Sequence, residues 1–177
     1  MTGKTHTRNT LLRGLRTALA AAVLAAPLML AAPMQAQILP HDATVGLHPH
    51  HIYPTIEAAN GDIRDALAVA RKTHKRVILD FGGDWCGDCQ VLFLYFHQAP
   101  NQQIINQHFI IVPINVGHID ANLDIAKRYG VPAKGVPALA VLNEHGRLLY
   151  SQGNNEFSDM RHMDAQSVTA FLNKWKQ

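Results

Sequence analysis

The sequence predicts an α/β fold with a central mixed β-sheet flanked by helices, from an element order of helix, strand, helix, strand, helix, hairpin, helix. Three observations carry this. Apolar runs at 76–81, 109–115 and 138–142 read as buried strands, and helical spacing of apolar residues marks the segments around them. Trp85-Cys86-Gly87-Asp88-Cys89, which holds the chain's only two cysteines, stands where the first strand passes into a helix.

Residues 1–36 read as an export signal. Lys4, Arg8, Arg13 and Arg16 form a basic start, Leu19 to Ala32 an apolar stretch, and Ala36 a small residue for cleavage. A retained membrane anchor is disfavoured because Pro27 and Pro33 interrupt the uncharged run. The formal charge of +3 belongs to this segment: without it twelve basic residues face thirteen acidic ones, a net charge of −1. No basic stripe with interleaved aromatics remains, so a nucleic-acid partner is excluded. About 140 residues are left, enough for one domain with a real core. The localisation expected is periplasmic, an oxidising compartment in which small domains often carry structural disulfides. Here one C-x-x-C pair is all the sulfur available, which points to chemistry more than to stability.

Residues 37–58, with prolines at 40, 49 and 54, are expected to form an irregular arm bearing His41, His48, His50 and His51. The folded domain is expected to span 59–177. Asn60-Gly61-Asp62 supplies cap-type residues for an amphipathic helix ending near Thr73. The strand 76–81 carries one acid, Asp80, and Gly82-Gly83 releases the chain into the cysteine turn. From Cys86 to Gln98 apolar residues lie on nearly all sides, as in a helix pressed on a sheet. Pro100 opens a short helix to Gln107. Pro113, within the second strand, should stand at its end, at a bulge or with its nitrogen away from a neighbour. Asp120 or Asn122 caps a helix that stops at Gly130. A turn-rich loop, 131–137, leads into the strand 138–142, the hairpin turn Asn143–Gly146 and the strand 147–151. After a polar loop, 153–163, the last helix buries Val168, Phe171, Leu172 and Trp175.

The C-x-x-C spacing at a strand-to-helix passage suits thiol–disulfide exchange. Attachment of a c-type haem would need His after the second cysteine, where Gln90 stands, and a zinc ribbon would need a second pair. Two buried structural thiols are the remaining alternative, against which Gly87 and Asp88 favour an exposed turn.

These residues together resemble the thioredoxin family over Asp62 to Trp175. Val-Ile-Leu-Asp-Phe, then Trp-Cys-x-x-Cys, then Gly-Val-Pro before a strand, hairpin and helix carry the likeness. The resemblance implies a thioredoxin-like fold, with Cys86 as attacking sulfur, Cys89 as resolving sulfur and Asp80 as a buried acid exchanging a proton with Cys89. It also implies Pro137 as a cis-proline beside the sulfurs, Val136 as backbone free to pair with a substrate strand, and Trp85 as the neighbouring aromatic. A disulfide-containing client protein and an upstream thiol donor are the partners implied, with no cofactor and a monomeric state. Independently, the first turn of a helix offers unpaired N–H groups and partial positive charge to Cys86, which favours its thiolate.

Three departures stand out. Pro113 falls where the family has a basic residue near the buried acid, Leu94 where many members have a kinking proline, and Gly87-Asp88 replaces Gly-Pro. An exposed Asp88 at ~7 Å from the attacking sulfur would disfavour its thiolate by about 1 kcal/mol. That offsets the ~0.3–1 kcal/mol from the helix end. Gly87 and Asp88 are thus redox-tuning residues, expected to give a reductant or mild exchanger.

Two other functions compete. A periplasmic copper-handling metallochaperone would use the same cysteines with histidines of the arm, or Met160, His162 and Met163, as donors. A binding module would keep the fold without turnover.

Overall fold

A computed structural model describes residues 50–177; the expected signal segment, 1–36, and the arm up to residue 49, with His41 and His48, lie outside the described residues. The organising strand is β1 (Arg76–Gly82), buried from Val77 onward. It pairs in parallel with β2 (Phe109–Asn115) and antiparallel with β3 (Ala138–Leu142). The hairpin partner β4 (Leu148–Ser151) completes a four-stranded mixed sheet in the order β2-β1-β3-β4. Strands covered on both faces read as apolar runs; β3 does so throughout, and β1 does so from Val77 with Asp80 as its one interruption, because they are the two central strands. Pro113 lies inside β2, opposite Asp80; an edge strand tolerates a residue with no N–H because one row of its backbone groups meets no neighbour.

The period of two along each central strand divides the core. Val77, Leu79 and Phe81 of β1 join Ala138, Ala140 and Leu142 of β3 in one cluster, under α1 (Ala59–Thr73) and α4 (Leu123–Arg128). Ile78, Leu139 and Val141 face the other way, against α2 (Gly87–Phe96), α3 (Asn101–His108) and α5 (Ala165–Trp175). Asp80 is an even-numbered residue of β1, so its side chain leaves the strand on the face that α2 covers.

Helix ends show where local signals compete. A single 3-10 turn, Ile56–Ala58, feeds directly into α1 at Ala59, so Asn60-Gly61-Asp62 lie inside the helix and do not cap it. At the other end His74, left-handed at φ 56°, stops the helix after Thr73. Asn122 precedes α4 without a capping bond from its side chain; its amide instead donates to the carbonyls of Ile56 and Asn115. Asp164 caps α5 by accepting the Ser167 N–H at 2.8 Å. The Ala99–Pro100 bond before α3 is cis, which the sequence did not lead us to expect. Within residues 50–177 no helix is long and apolar enough to cross a membrane.

The three helices on the α2 face are joined by one buried amide. Asn101 donates to the Tyr95 carbonyl at 2.9 Å and to that of Ala165 at 3.4 Å, and accepts the Thr169 hydroxyl at 2.6 Å. Replacing Asn101 by Ala strands these partners in a dry interface and is expected to cost about 1–3 kcal/mol in urea unfolding.

Candidate active site

Gly82 and Gly83 end β1 and set the geometry of the turn that follows. A methyl group on Gly82 would collide with the Tyr53 hydroxyl and stand 2.8 Å from Cys89 Sγ; one on Gly83 would stand 2.6 Å from Trp85 Nε1. Cys86 then takes an extended conformation at the N-cap of α2, and its sulfur accepts the Cys89 N–H at 3.1 Å. That amide is one of the orphan donors at a helix start, so the sulfur lies where charge on it is stabilised. Cys86 and Cys89 form a disulfide, with Cys86 4% and Cys89 0% exposed.

The structure brings the expected neighbours to this pair. Cys86 Sγ lies 3.5 Å from the Val136 carbonyl oxygen, and the Val136–Pro137 bond is cis. A buried glutamine secures that loop: Gln152 donates to the Pro137 carbonyl at 3.3 Å and accepts the Leu139 N–H at 3.1 Å. Trp85 is 50% exposed; its indole N–H donates to the Gly117 carbonyl at 2.6 Å and its ring stacks on His118.

Asp80 is buried and takes the Tyr53 hydroxyl on Oδ2 at 3.1 Å, while its Oδ1 has no hydrogen-bond partner. Burial pushes its pKa up to about 7, against the smaller lowering effect of the Tyr53 bond. Burial first, then the Asp80 charge, raises Tyr53 well above its ordinary value, so its hydroxyl keeps its proton.

One expectation requires correction. The turn is not open, because Asp88 is buried under an arginine from the loop before α5. Asp88 Oδ1 accepts the Arg161 backbone N–H at 2.9 Å and its Nε–H at 3.1 Å, and Oδ2 lies 3.1 Å from Arg161 Nη2. The carboxylate that was expected to oppose a thiolate is thus matched by a cation held over Gly87. The irregular arm, from His50 onward, is tied to the same turn. Gln90 exchanges hydrogen bonds with the backbone of His50, and Asp84 accepts the N–H groups of Ile52 and Tyr53 at 2.8 and 3.0 Å and pairs with His51. Burial works to raise the Asp84 pKa, and the bonds from Tyr53, Ile52 and His51 outweigh it, leaving Asp84 below the ordinary carboxylate value.

Among the described residues, three of the candidate copper donors are engaged otherwise. Met160 is fully buried in the α2-face core and His162 pairs with Asp159. His50 lies against Phe93.

Sequence reasoning did not single out Tyr53, Asp84, Gln90, Gln152 or Arg161. The hydrophobic Met160 beside Arg161 was the usable signal: a buried anchor in a polar loop fixes where the next side chain reaches.

The fold and the paired sulfurs at a helix start are those of the thiol–disulfide oxidoreductase class. A family model described as thioredoxin-like matches residues 57–144. A disulphide isomerase from Xylella fastidiosa Temecula1 is similar at 34% identity, covering 71% of this chain and 98% of that one, with a TM-score of 0.65. A thioredoxin from Streptomyces clavuligerus is 34% identical over 70 residues, which are 40% of this chain and 58% of that relative's length. The chain belongs to the thioredoxin-like family.

Burial of Asp80 has a consequence for stability. The unfolded chain releases this proton near the ordinary value of 3.8, whereas the folded chain holds it to about 7. Folding is therefore penalised progressively as pH rises through that window, by roughly 4 kcal/mol at most. Asp80→Asn is expected to be more stable than wild type at pH 8 and to lose that advantage below pH 4, as read by denaturant titration at each pH.

Proposed function

We propose that the protein is a thiol–disulfide oxidoreductase that reduces or exchanges disulfides in exported proteins through a Cys86/Cys89 dithiol–disulfide cycle. The observation that carries the reading is the position of Cys86: at the N-cap of α2, accepting the Cys89 amide, beside the Val136 carbonyl and Pro137.

In this cycle the Cys86 thiolate attacks a client disulfide and forms a mixed disulfide, with one client sulfur leaving as thiolate. Cys89, deprotonated with the help of Asp80, then attacks Cys86 Sγ. The internal disulfide forms, the second client sulfur leaves, and an upstream thiol donor restores the dithiol. Trp85, half exposed beside the pair, and the backbone of Val136 next to Pro137 form the face on which the client lies; an extended client segment would add to that backbone as a strand adds to an edge.

The direction favoured is reduction or exchange. With Asp88 paired to Arg161, the dominant stabilisation of the thiolate is that of the helix end, ~0.3–1 kcal/mol, and a strong oxidant needs a far more stabilised reduced form. The likeness to a protein described as a disulphide isomerase supports exchange. The basic and apolar character of residues 1–36 supports action in the periplasm.

Insulin reduction by the intact protein tests the reading: Cys86→Ser should abolish it, and Cys89→Ser should retain a client as a mixed disulfide. Activity surviving in Cys86→Ser would exclude the cycle. The charge pair makes a second prediction, with opposite signs for its two members. Arg161→Gln leaves Asp88 uncompensated and should lower the reduction potential by about 20 mV or less, the half-exposed guanidinium being screened by solvent. Asp88→Asn should raise it by a similar amount, measured against a glutathione redox series.

A further inference from the structure

A buried acid can take the resolving cysteine's proton only if a path connects them. Among the described residues, the hydrogen-bond partner of the Asp80 carboxyl is the Tyr53 hydroxyl, at 3.1 Å from Oδ2. That hydroxyl and Cys89 Sγ converge on the space above the Gly82 Cα, where even a methyl group would collide with the first and lie 2.8 Å from the second. Tyr53 is 1% exposed and Cys89 fully buried, so bulk water does not reach the hydroxyl or the sulfur, whereas Asp80 borders a cavity lined by Ile111 and Pro113.

We propose that Tyr53 relays the proton between Cys89 and Asp80. The inference rests on the dithiol cycle proposed above. In the resolving step the Cys89 S–H proton passes to Tyr53 Oη as the Tyr53 O–H proton passes to Asp80 Oδ2, so the phenol ends neutral and the aspartate protonated. The electron pair left on Cys89 Sγ forms the bond to Cys86 Sγ, and the pair of the broken Cys86–client bond leaves with the client sulfur. The dithiol is oxidised by two electrons and the client disulfide reduced by two. Asp80 later returns its proton to solvent.

Several features of the fold fit this role. Tyr53 belongs to the arm, and Asp84 of the redox turn holds its backbone N–H at 3.0 Å, so the hydroxyl is placed by the turn it serves. The raised Tyr53 pKa keeps the hydroxyl protonated, and an Asp80 that titrates near 7 can both take and give a proton. The position opposite Asp80 on β2 is Pro113, which supplies no cation. The titratable groups that face the relay, among the described residues, are Asp80 on β1, Asp84 in the turn with its partner His51, His97 after α2, which lines the same cavity as Asp80, and Cys86 and Cys89 at the start of α2.

The test uses the full chain, reduced, with an aromatic disulfide that liberates one coloured thiolate when Cys86 attacks and a second when Cys89 resolves. Tyr53→Phe keeps the ring and removes the hydroxyl. The first phase should stay within about twofold of wild type, and the second should slow about tenfold or more at pH 7. An unchanged second phase, or equal slowing of both phases, overturns the relay. Should the variant not fold, the wild-type second phase in mixtures of light and heavy water decides: a curved dependence on deuterium content shows two protons in flight, and a linear one overturns the proposal. Insulin reduction is measured in parallel. Wild type inactive there but slowed by Tyr53→Phe in the second phase would refute the function proposed above and leave the relay standing.

Discussion

The site depends on a volume of space that Gly82 leaves empty. At the end of β1 the strand must leave the sheet and turn into α2, and the bare Cα there is the one surface on which the Tyr53 hydroxyl and the Cys89 sulfur can converge. A side chain at this position would have to push out either the sulfur or the ring, because both are packed in the core with no slack. Conformational freedom is not the reason for this glycine; close approach is.

That convergence also explains how a chain without a basic residue beside its buried acid can keep one. A carboxylate moved into a core normally needs a cation or several donors. Here Pro113 occupies the facing position on β2, so the hydroxyl of Tyr53 is the donor available, and it is insufficient to hold the charge at neutral pH. The outcome is an acid pushed up to about 7 by its burial, at a penalty to stability above that pH. The charge at Asp88 is handled differently: a guanidinium and a backbone N–H from the loop before α5 satisfy it, so the turn carries an ion pair and not a lone anion.

Much of this was legible in the residues and some of it could not have been. β1, β2 and β3 were visible as runs of Val, Ile and Leu, because a sheet covered on both faces imposes that composition, and Cys86, Cys89, Asp80 and Pro137 were visible because their types recur at fixed places in a family pattern. The register of Asp80 against Pro113 followed from the same pattern. Tyr53 and Arg161 were hidden for a physical reason: each reaches the site through contacts 27 and 73 residues distant along the chain, and no local periodicity encodes such a meeting. Asp88 was misjudged because its charge was legible and its partner was not.

The arm is where these arguments join. Its described part has no strand and no helix before Ile56, so nothing in its own backbone hydrogen bonding fixes it. Side chains of the redox segment fix it together with β2: Gln90 pairs with the backbone of His50, Asp84 accepts two successive N–H groups, of Ile52 and Tyr53, and Asn115 donates to the Pro54 carbonyl. Both acceptors lie within four residues of a cysteine, so the same short segment that carries the sulfurs also seats the residue proposed to serve them. A change that loosens Asp84 would therefore displace the Tyr53 hydroxyl while leaving Cys86, the N-cap of α2, with its own amide contact to Cys89. On the proposed cycle and relay, attack on a client and resolution of the mixed disulfide would then be separable by position in the fold: the first at the helix start, the second at the arm that packs against it.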